Sequence, residues 1–121
     1  MLSTQKILDE YQKILDNTDY KKIDNGNLNP DTFLFQNWHH KIEKGWYGFS
    51  LGKVPFIWAI ILDEFLSDLD EETKGDFKIL QIKLKYGGLR AYLNYNGEKF
   101  PNIQSEVDKL EKALFHKDLI Y

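Results

Sequence analysis

The stretch Leu80–Tyr95, LQIKLKYGGLRAYLNY, alternates apolar and polar residues on both sides of a Gly-Gly pair. Glycines supply the positive φ angles that type I′ and II′ turns require, so the pattern predicts a β-hairpin that turns at Gly87-Gly88. With that turn, apolar residues meet on one face of the pleat, pairing Tyr86 with Leu89, Leu84 with Ala91, Ile82 with Leu93 and Leu80 with Tyr95. We therefore expect one face of the hairpin to be buried by the rest of the chain.

The opposite face of the predicted hairpin is polar and basic. It pairs Lys85 with Arg90 and Lys83 with Tyr92, and like charges directly opposite each other are destabilising by about a few tenths of a kcal/mol. These residues form a solvated sheet face, a face neutralised by carboxylates from elsewhere in the fold, or a surface for an anionic partner. The sequence leaves the three interpretations open.

Both ends of the hairpin carry further signals. Phe77 and Ile79 lie on the opposite parity from the apolar residues that follow. This predicts a β-bulge near Ile79-Leu80 or a strand start that is buried on both faces. Asn96-Gly97 is a second turn signal, so a short third strand over Glu98–Phe100 would complete a meander.

The hairpin resembles a signature in small uncharacterised bacterial and phage proteins. The motif here is Gln81-x-Lys83-x-Lys85-Tyr86-Gly87-Gly88-Leu89-Arg90-x-Tyr92, and its usual form in that group is close to QIKEKFGGLRFY. In those proteins an apolar helix containing Trp precedes the hairpin and another helix follows it. This chain departs at Leu84, where Glu is common, and at Ala91, where an aromatic residue is common. The resemblance implies a fold and a bacterial or phage origin, and it implies no activity.

Length and composition predict one domain with a substantial, ring-rich core, because the chain has 121 residues, of which 42% are hydrophobic and 15% aromatic. Sixteen basic and nineteen acidic residues give a net charge of −3. This balance argues against a general nucleic-acid binder, which usually carries a basic excess. Arg90 is the only arginine, whereas phosphate-reading surfaces depend on several for bidentate contacts.

The location of the chain is predicted to be cytoplasmic. The chain has no cysteine, which excludes disulfides, cysteine-ligated zinc and a cysteine nucleophile. The first twelve residues lack the apolar stretch of a signal peptide. The longest apolar run, Val54–Leu62, is too short to span a bilayer. We expect no cofactor and no membrane partner.

Helical periodicity predicts helices over about 4–17, 30–43, 54–70 and 102–116. Ser3 or Thr4 can cap the first, Asn29 followed by Pro30 begins the second, and Asn102 can cap the last. The third contains the apolar run and is expected to cross the apolar face of the hairpin. The predicted fold class is α+β, with a small antiparallel hairpin or three-stranded meander over about 77–100 packed against three to four α-helices.

Acidic residues crowd the end of the third predicted helix. Carboxylates near a helix C-terminus oppose the helix dipole, so local stability does not explain them. They form either a solvated helix end or a negative patch that docks on a basic surface of a partner. The residues of this acidic patch are Asp63, Glu64, Asp68, Asp70, Glu71, Glu72 and Asp76.

The segment Gly45–Lys53, GWYGFSLGK, combines glycines with aromatic residues. The glycines oppose a regular helix, and the aromatic residues oppose a flexible linker. We expect a loop pinned by Trp46, Tyr47 and Phe49 that is either a packed lid or a partner-contacting surface. It is not a phosphate-binding P-loop, because neither Ser nor Thr follows the Gly-Lys pair.

Two other sets of residues have side chains that could carry chemistry. His39 and His40 point about 100° apart on a helix, so one metal ion would need a third ligand such as Asp31, Glu43 or His116, and no metal site is expected. The carboxylates of Asp63 and Glu64 could do acid–base work, but nothing near them in sequence marks a nucleophile. No constellation predicts an enzyme.

These features favour a small protein that neutralises a protein partner by direct binding. It would act as an immunity protein against a bacterial toxin such as a nuclease, or as a phage-encoded inhibitor. The acidic patch would fill a basic cleft on the partner, and the aromatic loop would supply apolar contacts. The alternative is a nucleic-acid-associated module that uses the hairpin face of Lys83, Lys85, Arg90 and Tyr92. A small enzyme is the third hypothesis.

Overall fold

The computed structural model describes residues 2–16 and 29–115. In chain order the helices are α1 (Thr4–Asp16), α2 (Pro30–Trp38), α3 (Phe56–Thr73) and α4 (Ile103–Ala113), and a single 3-10 turn, His39–Lys41, follows α2. The strands are β1 (Gly48–Ser50), β2 (Phe77–Lys85) and β3 (Gly88–Tyr95). The predicted ends of the first and last helices, at residues 17 and 116, lie outside the described residues.

The α+β fold class is confirmed. Helices pack with a three-stranded mixed sheet in the order β1-β2-β3, in which β1 runs parallel to β2 and β3 runs antiparallel to it. Buried residues of α3, including Trp58, Phe65 and Leu69, join buried hairpin residues such as Ile82 and Leu89 in one hydrophobic core. The long apolar helix is therefore part of the same core as the apolar face of the hairpin.

The third strand is not the one predicted. Residues 97–99 form a turn where Glu98–Phe100 was predicted to be a strand, because the side chain of Asn96 accepts hydrogen bonds from the backbone N–H groups of Glu98 and Lys99, at 3.0 and 3.1 Å. The backbone N–H of Phe100 also donates to the carbonyl of Asn96. These donors are used within the turn, so none is left for a strand, and the sheet takes its third strand from β1.

The hairpin turns one residue earlier than Gly87-Gly88. Tyr86 and Gly87 form the two-residue loop with φ angles of 53° and 79°, the two positive values that a type I′ turn requires. The pairs are therefore Lys85 with Gly88, Leu84 with Leu89, Lys83 with Arg90 and Ile82 with Ala91. The shift preserves the predicted faces, because the partner of each of these β2 residues moves by two residues along β3, as from Ala91 to Leu89 opposite Leu84. The exception is Tyr86, which is exposed in the turn.

The predicted bulge at Ile79-Leu80 is confirmed. The register shifts between Ile79 and Gln81, which leaves Leu80 without a partner on β3. The extra residue moves Phe77 and Ile79 onto the same buried face as Ile82. Apolar residues of opposite parity in the sequence thus share one side of the sheet.

Helix α2 is shorter than predicted. Asn29 caps it as expected, since its side chain accepts from the backbone N–H of Thr32 at 3.1 Å. The helix ends at Trp38 rather than near residue 43, and Ile42 has extended backbone angles and forms a parallel bridge with Ile79. The chain leaves the helix there because the sheet offers a backbone acceptor: the N–H of Glu43 donates to the carbonyl of Ile79 at 2.9 Å.

Helix α1 is joined to α4 by hydrogen bonds around a buried threonine. The backbone N–H of Thr4 donates to Oε1 of Glu106 at 2.7 Å, and its hydroxyl donates to the Glu106 carbonyl at 2.9 Å. Burial by itself would raise the pKa of Glu106, but the Thr4 N–H and the ammonium of Lys109 outweigh it and hold that pKa below its ordinary value. Of the two predicted caps for α1, Ser3 acts, accepting from the N–H of Lys6.

Helix α4 covers part of the outer edge of β3. The N–H of Leu89 donates to the carbonyl of Leu114 at 2.9 Å, and the N–H of Ala91 donates to the carboxylate of Glu111 at 2.8 Å. Asn102 precedes α4 as predicted, but its side chain makes no capping hydrogen bond. Edge donors that would otherwise be unpaired are thus satisfied by Glu111 of the helix and by Leu114, which directly follows it.

None of the helices in the described ranges is long and apolar enough to cross a membrane.

Candidate interaction surfaces

The first two carboxylates of the acidic patch, Asp63 and Glu64, accept hydrogen bonds from other helices of the fold. Asp63 accepts from Nε1 of Trp38 at 2.8 Å and from the side-chain amide of Asn37 at 3.2 Å. Glu64 accepts from the hydroxyl of Tyr11 at 2.7 Å. These two carboxylates therefore connect α3 to α2 and to α1, and their hydrogen bonds explain why acids occupy these positions.

The same contacts change the titration of Tyr11. Burial first, and then the acceptor and charge of Glu64, raise its pKa to about 12. Asp68, one turn further along α3, also has a raised pKa, chiefly because it is partly buried. Burial disfavours the charged form of a carboxyl group, which is why this pKa rises.

Asp70 has a partner from another element. Lys41, whose side chain is only 14% exposed, places its ammonium 3.5 Å from the Asp70 carboxylate. The same ammonium donates to the carbonyl of Gly75 and lies 4.9 Å from the ring centroid of Phe77. The ammonium of Lys41 thus lies at the C-terminal end of α3, where the helix dipole favours positive charge. The sequence could not show this, because Lys41 comes from the turn after α2.

The predicted acidic patch is therefore not one free surface. Glu71, Glu72 and Asp76 are exposed, whereas Asp63, Glu64 and Asp70 have the partners described above. A role in partner binding stays a prediction for the exposed residues.

Trp46 and Tyr47 present two exposed rings immediately before β1. Their side chains are 50% and 75% exposed, and the ring planes are perpendicular with centroids 6.5 Å apart. Phe49, predicted to share their role, is half-buried and packs against the hydrophobic core. The aromatic loop therefore has one ring that anchors it and two that face solvent.

The backbone that carries these rings is held on both sides. Before them, Glu43 binds the sheet at Ile79, and the N–H of Trp46 donates to the carbonyl of Glu43 at 2.9 Å. After them, the carboxylate of Asp31 accepts from the N–H groups of Leu51 and Gly52 at 2.8 and 3.1 Å. The two exposed rings are therefore carried by a backbone segment that hydrogen bonds hold at both ends.

Gly48 allows the loop to lie close to the turn after α2. Its φ angle is +72°, and a Cβ built on it would lie 2.6 Å from Cδ1 of Ile42. Any other residue would meet both backbone strain and a clash at this position. The close approach brings the segment of Trp46 and Tyr47 against the strand-like backbone at Ile42.

The face of the sheet opposite the core carries the basic residues of the hairpin. Strand pairing places Lys83 opposite Arg90, Gln81 opposite Tyr92 and Lys78 opposite Asn94, and it places Ser50 of β1 beside Lys83. The predicted anion-binding residues Lys83, Lys85, Arg90 and Tyr92 are therefore brought together. We call this set, with the neighbours that share the face, the basic face; its members are Ser50, Lys78, Gln81, Lys83, Lys85, Arg90, Tyr92 and Asn94.

The sequence did not predict that Lys78 belongs to the basic face. Lys78 precedes the bulge, so its parity differs from that of Lys83 and Lys85 in a simple count. The pairing of Lys78 with Asn94 places both residues on the basic face. The signal was available, because the bulge predicted at Ile79-Leu80 reverses parity for every residue before it.

The cations of the basic face contact rings and backbone. The ammonium of Lys83 lies 5.9 Å from the ring centroid of Tyr92, and that of Lys85 lies 5.6 Å from the ring of Tyr86. The guanidinium of Arg90 donates to the carbonyl of Leu89 at 3.0 Å. Among residues 2–16 and 29–115, none of these cations forms an ion pair with a carboxylate.

The two adjacent histidines have structural neighbours. Nδ1 of His39 lies 3.0 Å from the carbonyl oxygen of Phe35, and the ring of His40 stacks on Trp38. Asp31, one proposed third ligand, holds the loop after β1, and His116, another, lies outside the described residues. No cluster of three metal-ligating side chains occurs in the part of the chain that the structure describes.

Comparisons of the chain with protein-family models, with curated proteins and with solved structures found no match.

Proposed function

We propose that this chain is a small protein-binding protein that neutralises its partner by direct contact, as an immunity protein or a phage-type inhibitor does. The observation that carries the proposal is the pair of exposed rings, Trp46 and Tyr47, on an anchored segment. The pair is the centre of the proposed contact. Bacterial or phage origin, which the hairpin signature suggests, is part of the same proposal.

The energetics favour such a role. Trp and Tyr dominate binding energy at protein interfaces, where they fill pockets on the partner. Covering about 100 Å² of free ring surface on each residue would contribute about 2–3 kcal/mol per ring. Because hydrogen bonds already hold the backbone on both sides of the pair, little conformational entropy is lost when a partner covers it.

The exposed acidic residues have a secondary role in this proposal. Glu71, Glu72 and Asp76 can steer the chain toward a partner with a basic cleft, such as a nuclease, and raise the association rate. They lie near the end of α3 and the start of β2. Their contribution falls with ionic strength, whereas that of the ring pair does not.

The test is co-expression of the chain with the product of the adjacent gene, followed by isolation of the complex and titration calorimetry. We expect Trp46→Ala and Tyr47→Ala each to weaken binding by about tenfold or more, since each removes a hot-spot side chain. The matched control is Phe35→Ala, which removes a ring of similar exposure, 53%, from α2. Thermal unfolding of each variant checks that the fold is intact.

Neutralisation is measured with the purified partner. The wild-type chain should abolish the partner's activity at an equimolar ratio, and the Trp46→Ala/Tyr47→Ala double variant should fail to do so. A double variant that folds, binds and neutralises as the wild type does would refute the role of the ring pair.

A further inference from the structure

The basic face carries four cations and no carboxylate. Three of the cations, Lys78, Lys83 and Lys85, lie on β2. The fourth, Arg90, lies on β3 directly opposite Lys83. Side chains on one face are spaced about 7 Å along a strand and about 5 Å across strands. Positive charge is therefore concentrated on one side of a molecule whose net charge is −3.

Internal neutralisation does not account for this charge within the described residues. The ion pairs found there are Lys41 with Asp70 and Lys109 with Glu106, and neither involves the basic face. Lys83 and Arg90 instead face each other as like charges, which is unfavourable in the free protein. An anion placed between them would relieve that repulsion.

Tyr92 stands among these cations and remains accessible. Its side chain is 44% exposed, it follows Arg90 by two residues on β3, and the ammonium of Lys83 is 5.9 Å from its ring centroid. A ring within a basic sheet surface offers a stacking platform beside sites for phosphate. One single strand would engage both kinds of group, since its phosphates contact the cations while a base stacks on the ring.

We propose that the basic face binds single-stranded nucleic acid. Lys78, Lys83, Lys85 and Arg90 contact successive phosphates, and Tyr92 stacks on a base. Duplex DNA does not suit this surface, because the major groove admits a helix or a two-stranded ribbon, whereas three of these four cations lie on the central strand of a three-stranded sheet. The proposal is independent of the Trp46–Tyr47 contact, which uses other residues.

The test measures fluorescence anisotropy of a labelled oligothymidylate of about fifteen nucleotides. If four phosphates are contacted, the logarithm of the affinity should fall with the logarithm of salt concentration with a slope of about −3, so affinity drops about 50-fold between 50 and 200 mM salt. The Lys83→Gln/Arg90→Gln double variant should reduce the magnitude of the slope by about 1.4. Lys112→Gln, an exposed lysine on α4, is the control and should change nothing.

The role of the ring is tested separately. Tyr92→Ala should weaken binding about tenfold with the salt slope unchanged, because stacking is not ionic. Tyr92→Phe, which keeps the ring, should restore binding. Circular dichroism confirms that each variant is folded, and Lys85→Gln, at an exposed position beside the turn, gives a further charge variant with little risk to the fold.

Three results would overturn the proposal. The first is no binding to the oligothymidylate at 50 mM salt, and the second is an affinity for a duplex of the same length equal to that for the single strand. The third is displacement of the labelled oligothymidylate by a poly-glutamate peptide as effectively as by the unlabelled oligothymidylate, together with no effect of Tyr92→Ala on binding. The last result would assign the face to an acidic protein segment. The Trp46→Ala/Tyr47→Ala variant should keep oligothymidylate binding while it loses the protein partner, so failure of one proposal is distinguishable from failure of the other.

Discussion

Substitution of Gly48, which is buried at the start of β1, by alanine should lower the stability of the fold. An L-residue at a φ of +72° is disfavoured by about 1–2 kcal/mol. The new Cβ would also lie 2.6 Å from Cδ1 of Ile42, and displacing this terminal methyl group adds about 1 kcal/mol. We expect Gly48→Ala to lower the free energy of unfolding by about 2–3 kcal/mol, measured by urea denaturation followed by circular dichroism.

Two further variants separate the strain from the clash. Gly52→Ala has a similar φ of +69° and no atom within 4 Å of its Cβ, so it should cost only the strain, about 1 kcal/mol. Ile42→Val removes Cδ1, so Gly48→Ala should cost about 1 kcal/mol less in the Ile42→Val background than in the wild type. Equal costs for Gly48→Ala and Gly52→Ala, with no coupling to Ile42→Val, would show that the close approach to Ile42 does not constrain this position.

Three other predictions concern interactions between elements. Glu111→Ala should cost about 1–2 kcal/mol and speed amide exchange at Ala91, because it leaves that N–H unpaired; unchanged exchange would contradict this. Glu106 has a lowered pKa, so its contribution to stability is present above the unfolded pKa near 4.3 and is lost as pH falls through the folded pKa. Glu106→Gln should therefore lower stability by about 1 kcal/mol at pH 7 but not at about pH 2. Tyr11 has a raised pKa, so its contribution is present below about pH 10 and is lost as pH rises through about 12. Tyr11→Phe should remove the last phenolate step in an absorbance titration and cost about 1 kcal/mol at pH 8, and a titration that keeps this step would assign it to another tyrosine.

Local patterns predicted the elements of this fold but not the way they meet. The helices, the Asn29 cap and the bulge at Ile79-Leu80 follow from periodicity, cap chemistry and parity, which depend on near neighbours in sequence. The turn was misplaced because Gly88 looks like a turn glycine. A Cβ at Gly88 would meet the ring of Phe115 at 3.2 Å, so tertiary packing rather than turn geometry restricts this position.

Strand β1 was missed for a related reason. Its three residues lie among glycines and aromatic residues that are typical of a loop, and its pairing partner on β2 is reached only after α3. The candidate surfaces show the same limit. The sequence could group Asp63, Glu64 and Asp70 as one acidic patch, because they lie close together along the chain. It could not show their partners, which come from other elements: Trp38 and Tyr11 donate hydrogen bonds to the first two, and Lys41 forms an ion pair with the third.

The parallel pairing of β1 has a consequence for the order in which the sheet assembles. The hairpin of β2 and β3 closes over two residues, whereas β1 can dock only after α3 has folded back across the chain. Strand β1 should therefore be the last part of the sheet to form and the first to open in native fluctuations. A partner bound to Trp46 and Tyr47 would suppress that opening, so amide exchange should slow at β1 while the hairpin stays as protected as before.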